Sequence, residues 1–125
     1  MNKTTEQEKF WKGNFGDSYT SRTSVNTKKQ VAPNISLFNH AIKNVSNLSS
    51  IIEFGCNFGL NLHALRELLP ESKITGIEIN DSSADIVDAW GGAEVIRGSI
   101  SDVIIDKKFD MSFTKGVLIH IHPDK

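Results

Sequence analysis

Ile51-Ile52-Glu53-Phe54-Gly55-Cys56-Asn57-Phe58-Gly59 is the stretch that decides the fold. Residues 51–54 are branched or apolar apart from one acid and stop at a glycine, as a buried parallel strand does. Helical spacing begins directly afterwards, through Leu62, Leu65 and Leu69, and ends at Pro70. Gly55 and Gly59 let the backbone turn tightly and approach a ligand with no Cβ in the way. The N–H groups at the helix start favour an anionic group such as a carboxylate. A plain strand-to-helix turn would use glycine as well.

Outward from this unit, residues 73–79 read as a second strand rich in branched side chains. Asp81 or Ser82 caps the next helix, which runs to about Trp90 and stops at Gly91-Gly92. Residues 93–97 and 109–114 make a third and a fourth strand. Upstream, Pro33 precedes an amphipathic helix carrying Ile35, Phe38, Ile42 and Val45, with Leu37 and Ala41 on the same stripe. Ser46-Asn47-Leu48-Ser49 closes it. Residues 1–32 are polar but carry Phe10, Trp11, Phe15 and Tyr19, and Gly13 and Gly16 divide them into short helical turns. The spacing therefore predicts an aromatic helical segment over 1–32 and an α/β unit with a parallel sheet over 33–125. Ligands of such sheets bind beyond the carboxyl ends of the strands.

Composition narrows the ligand. The 125 residues carry 14 Lys and Arg against 15 Asp and Glu, and mean hydropathy is -0.25. That balance suits a soluble domain, offers no basic excess for nucleic acid, and leaves no apolar run long enough for a membrane span. Residues 1–8 have no apolar leader, and the single Cys56 excludes an internal disulfide, so a cytoplasmic setting is expected.

Two acids sharpen the picture. Glu53 lies two residues before Gly55, and Glu78 lies at the end of the second strand in Thr75-Gly76-Ile77-Glu78-Ile79-Asn80. The dinucleotide fingerprint G-x-G-x-x-G does not fit the Gly55, Asn57, Gly59 spacing, and a carboxylate beneath the turn would repel a pyrophosphate. It would welcome a cation, and S-adenosylmethionine carries both an ammonium and a sulfonium. A carboxylate at Glu78 can accept hydrogen bonds from the two hydroxyls of a ribose. A solvated strand-end acid is the plainer alternative.

Residues 53–59 resemble E/D-x-G-x-G-x-G, the first motif of class I methyltransferases, with Asn57 at the middle glycine. The resemblance covers roughly residues 51–121 and implies a Rossmann-like fold with S-adenosyl-L-methionine as cofactor. It implies that Gly55, Cys56, Asn57 and Gly59 wrap the cofactor and that Glu78 with Ile79 holds its ribose. Ser99 and Ile100 would then pass the adenine edge, where the family often has Asp or Asn, and Lys115 and Gly116 would line the reacting side. Phe109-Asp110-Met111-Ser112-Phe113 resembles the fourth-strand motif. Residues 10–19 (FWKGNFGDSY) and 115–124 (KGVLIHIHPD) look like the methylases associated with bacterial pseudaminic acid biosynthesis. That association implies a nonulosonic acid sugar or its precursor as the methyl acceptor.

By the same resemblance the aromatic segment would form a lid, with Tyr19 on the methionine portion and Arg22 on its carboxylate. Packing of Phe10, Trp11 and Phe15 on the sheet is the alternative. His120 and His122 follow the fourth strand and are candidates for a general base, for metal ligands or for a local structural role. No metal is expected there. His40 and His63 fall within helices and need no functional reading. No Asn-Pro-Pro-Tyr or Asp-Pro-Pro-Tyr run follows the fourth strand, which disfavours a base amine or a glutamine amide and leaves an oxygen or nitrogen of a carbohydrate as acceptor. A class I methyltransferase has a seven-stranded sheet, so this chain is expected to be truncated after the fourth parallel strand. That strand's bare edge invites pairing with a second copy. A non-catalytic cofactor-binding or oligomerising remnant and an NAD-type Rossmann binder are the alternative functions.

Overall fold

The computed structural model describes residues 4–23 and 27–125, with the backbone alone for residues 20–23 and 27. Three N-terminal helices, α1 (Glu6–Lys12), α2 (Asn14–Thr23) and α3 (Thr27–Ile42), lead into β1 (Ser50–Phe54). Then come α4 (Leu60–Leu68), β2 (Lys73–Glu78), α5 (Asp81–Trp90), β3 (Glu94–Arg97), β4 (Met111–Phe113) and a 3-10 turn, Leu118–His120.

The four strands form one parallel sheet in the order β3-β2-β1-β4. The crossovers from β1 to β2 and from β2 to β3 step the same way, so α4 and α5 cover one face. The next connection jumps to the far side of β1. The order thus reverses at β1, and the carboxyl end of β1 opens at the switch point where such sheets hold ligands. Ile52 and Ile77 are wholly buried on the sheet face away from α4 and α5, and Ile51, Leu62, Leu65, Ile74 and Val87 are equally buried between the other face and those helices. Gly76 makes room for this layer: a Cβ there would meet the Cys56 Sγ at 2.5 Å and Leu62 at 2.9 Å.

The α/β class and all four parallel strands stand as the sequence predicts. Several details differ. α3 starts six residues before Pro33 and carries that proline inside it, because Val31, Ile35, Phe38 and Ile42 keep one stripe toward the core across the proline. Leu37 and Ala41 lie off that stripe and are exposed, and Val45 falls beyond the helix end. The residues before α3 form two regular helices instead of short turns, broken at Gly13 alone, with Gly16 inside α2. The cap of α5 is Asn80, not Asp81 or Ser82: its Oδ1 accepts the Ser83 N–H at 2.9 Å.

Among the described residues no helix is long and apolar enough to cross a membrane.

Candidate functional site

The glycine turn takes its shape from three left-handed residues, Gly55 at φ +81, Asn57 at φ +50 and Gly59 at φ +93. Asn is the residue after glycine that enters this region most readily, which accounts for its place at the centre of the motif. Its side chain adds a tie: Asn57 Oδ1 accepts the Ser83 hydroxyl of α5 at 2.9 Å. The N–H groups of Gly55 and Cys56 both donate to the Ile77 carbonyl, each at 2.9 Å, so the turn is pinned against β2.

Glu78 stands beside the turn, 8% exposed, and is not a solvated surface acid. Its Oε1 accepts the Asn57 N–H at 2.8 Å and its Oε2 accepts the Asn80 N–H at 2.9 Å. Burial raises its pKa, and these backbone donors work against that rise. A carboxylate so held keeps acceptor capacity on both oxygens for hydroxyl donors from a ligand.

Glu53 is buried deeper, at 1% exposure, under the turn. Asn61 Nδ2 donates to its Oε2 at 2.6 Å, and its Oε1 has no hydrogen-bond partner. Burial pushes its pKa up to about 8; the Asn61 bond opposes this, Glu78 adds to it and Lys115 opposes it. The sequence reading took Glu53 as negative, whereas this environment keeps it largely protonated at neutral pH. Cys56 is buried too, and burial pushes its thiol well up, so its place in the site is that of a backbone turn and not of a nucleophile.

A cavity of about 220 Å³ opens over these strand ends. The sequence-predicted residues Tyr19, Gly55, Asn57, Glu78, Ile79, Ser99, Ile100, Lys115 and Gly116 line it, with His120. A second hollow, also of about 220 Å³, adjoins it and shares Tyr19, Gly55, Asn57 and Lys115 with it; Cys56 and Asn61 lie on its wall. Thr114 fixes the post-β4 segment beside the turn by donating its hydroxyl to the Phe54 carbonyl at 3.1 Å. Glu53 and Gly59 lie behind this lining and shape it. His122 lies outside it, engaged with Asp124, whose N–H donates to its Nδ1 at 3.2 Å. The expectation for Arg22 falls outside the described side chains.

The remaining wall comes from α1 and α2, in the segment expected as a lid, of which only Tyr19 and Arg22 were named as cofactor contacts. Gln7, Glu8, Trp11 and Gly16 line the cavity with Tyr19. Thr5 and Glu8 form a capping box that starts α1, and the Thr5-x-x-Glu8 spacing was its legible signal. Asn80 Nδ2 donates to the carbonyls of Trp11 and Lys12 at 3.0 and 3.2 Å and to Asp17 Oδ1 at 3.0 Å, fastening the helices to β2. Gly16 is buried in that junction, where a Cβ would lie 1.8 Å from the Trp11 carbonyl oxygen. Trp11 meets Tyr19 and His120 edge-on at centroid distances of 5.5 and 4.9 Å. Phe10 and Phe15 stack on each other at 4.0 Å and stay partly exposed; they form no layer on the sheet face.

No protein-family model matches the chain, and no curated protein does. Solved structures match it well. The plantazolicin methyltransferase BpumL in complex with SAH (S-adenosylhomocysteine) superposes with a TM-score of 0.65 at 16% identity, over 86% of this chain and 44% of that one. Coclaurine N-methyltransferase bound to N-methylheliamine and SAH gives 0.59 at 13% identity, over 68% and 26%. EvdMO1 gives 0.60 at 20% identity, over 73% and 23%. The chain therefore spans less than half the length of these neighbours, and over that span it has the Rossmann-like fold of the class I methyltransferases.

Proposed function

We propose that this chain binds S-adenosyl-L-methionine and forms the cofactor-binding part of a methyltransferase acting on an oxygen or nitrogen of a carbohydrate. The observation that carries the reading is Glu78, a buried carboxylate at the carboxyl end of β2, held by the Asn57 and Asn80 N–H groups on the wall of the switch-point cavity. The likeness to structures solved with SAH supports it.

Glu78 would accept the ribose hydroxyls, and the backbone at Gly55 would meet the amino-acid portion with no Cβ at the closest approach. The Lys115 side chain beside the second hollow fits a carboxylate. S-Adenosylmethionine, when bound, supplies a methyl group on positively charged sulfur. Residues of the chain then have to align an acceptor at about 3–3.5 Å and exclude water, and a base is needed only for a poorly nucleophilic acceptor. Trp11 and Tyr19, in the segment read as a lid, provide apolar wall for that exclusion. His120, on the wall beside Trp11, is the candidate base. Residues 10–19 and 115–124, which resemble the pseudaminic acid-associated methylases, support the carbohydrate acceptor. Cofactor binding without turnover is the second reading.

Calorimetric titration with S-adenosylhomocysteine and with NAD tests the cofactor. The expected outcome is 1:1 binding of the first, no binding of the second, and a loss of about tenfold or more in affinity in Glu78→Ala, the size expected for a charge-assisted hydrogen-bond pair. Unchanged affinity in both Glu78→Ala and Gly59→Val would show that the site is elsewhere. Transfer of labelled methyl to a nonulosonic acid acceptor, or its failure, separates the two readings.

A further inference from the structure

The cavity crosses the strand ends from the Gly55 turn after β1, past Glu78 at the end of β2, to Gly98, Ser99 and Ile100 after β3. If the cavity holds an S-adenosyl compound, as proposed above, a ribose on Glu78 with the amino acid at the Gly55 turn sends its base toward the β3 end. At that end α1 closes the wall with Gln7 and Glu8.

The polar groups there are not equally available. Glu8 Oε2 accepts the Thr5 N–H at 2.7 Å and the Thr5 hydroxyl at 3.1 Å. Its Oε1 accepts the Ser99 hydroxyl and lies 3.8 Å from Lys125 Nζ. The Ser99 hydroxyl proton is thereby committed to Glu8, and the oxygen also accepts the Ser101 N–H at 3.2 Å. Gln7 is different. It lines the same cavity, and its Oε1 is buried with no hydrogen-bond partner. A buried acceptor without a donor is costly, which marks it as a place for a ligand donor.

A carboxamide presents an acceptor and a donor side by side. Adenine presents the complement, its N6 amine beside a ring nitrogen, and glutamine pairs with that edge in two bonds. We propose that Gln7 reads the base: Oε1 accepts from the N6 amine while Nε2 donates to N7 on the same edge. Base specificity then resides in α1, and the Ser99 loop serves to hold α1 in place through Glu8.

The test is the affinity ratio of the 125-residue chain for S-adenosylhomocysteine and S-inosylhomocysteine, in which an oxo group replaces the amine while N7 stays an acceptor, so that neither orientation of the carboxamide makes both bonds. The unaltered chain is expected to favour the adenine compound by about tenfold or more. Gln7→Leu and the smaller Gln7→Ala are expected to bring the ratio close to one. Gln7→Glu, which keeps the acceptor, is expected to keep the preference. Binding of S-adenosylhomocysteine with a ratio that neither Gln7→Leu nor Gln7→Ala changes overturns the assignment of Gln7 and leaves the cofactor reading standing. Failure of the unaltered chain to bind either compound overturns both.

Discussion

At Asn57 and Glu53 the chemistry of single residues bears directly on the site. A glycine-rich motif with asparagine at its centre looks weakened on paper. In the structure Asn57 takes the left-handed conformation, donates its N–H to Glu78 and accepts the Ser83 hydroxyl, so one residue ties the turn to β2 and to α5. Glycine would give the same backbone and lose the tie to Ser83. Glu53 was legible as an acid under the turn, but its protonation was not, because that depends on burial, which no local pattern reports. Its folded-state pKa of about 8 lies above its ordinary value of 4.5. The folded state therefore binds the proton more tightly than the unfolded one. The stability this confers is full below 4.5 and is lost as pH rises through about 8. Glu78, raised in the same direction, adds to the trend. Urea unfolding across this range is expected to show falling stability for the unaltered chain and a flatter profile for Glu53→Gln, which stays neutral at every pH. An unchanged slope in Glu53→Gln would assign the pH dependence to other groups.

Elements were legible where periodicity spoke for itself. β1, β2, α4 and α5 fall within a residue or two of their expected bounds, since buried strands and amphipathic helices write their burial into the order of side chains. The N-terminal region was harder. α1 and α2 are held by long-range bonds to Asn80, by Gly16 packed under Trp11 and by the Glu8–Ser99 contact, none of which leaves a local trace. α3 runs through Pro33 because a continuous apolar stripe outweighs one missing backbone bond. On the outer side of α5, Arg97 bonds Asp85 at 2.8 Å and Asp88 at 2.6 Å, an exposed network that fixes the helix to the end of β3. Asn80 was missed as a cap because Asp81 and Ser82, equally good capping residues, follow it directly. Loss of an N-cap costs about 0.5–2 kcal/mol, and Asn80 also satisfies two carbonyls of α1 and the Asp17 side chain. Asn80→Ala is expected to destabilise the chain by about 2 kcal/mol or more in chemical denaturation, at the top of the capping range. Asp81→Ala and Ser82→Ala are expected to cost under about 0.5 kcal/mol, as for surface positions. Equal losses in all three would contradict the role given to Asn80.

For the whole molecule, the sheet order places its reversal at β1, and that reversal sets the Gly55 turn, Glu78, Ser99 and the segment after β4 around one cavity. The likeness to class I methyltransferases named eight of the cavity's lining residues at the strand ends, which βα turns at the carboxyl ends of parallel strands bring together by topology, and the expected lid added Tyr19. Gln7 and Glu8 on the wall from α1 were not foreseeable, since their place depends on how the N-terminal helices dock. Amide NMR of the labelled chain titrated with S-adenosylhomocysteine tests the central claim most directly. Shifts are expected to concentrate at the N–H groups of residues 55–59, 78–80, 98–100 and 115–117, with smaller ones along α1. No shifts at saturating ligand, or shifts centred on the exposed face of α3 or the outer side of α5 with the turn unmoved, would contradict it.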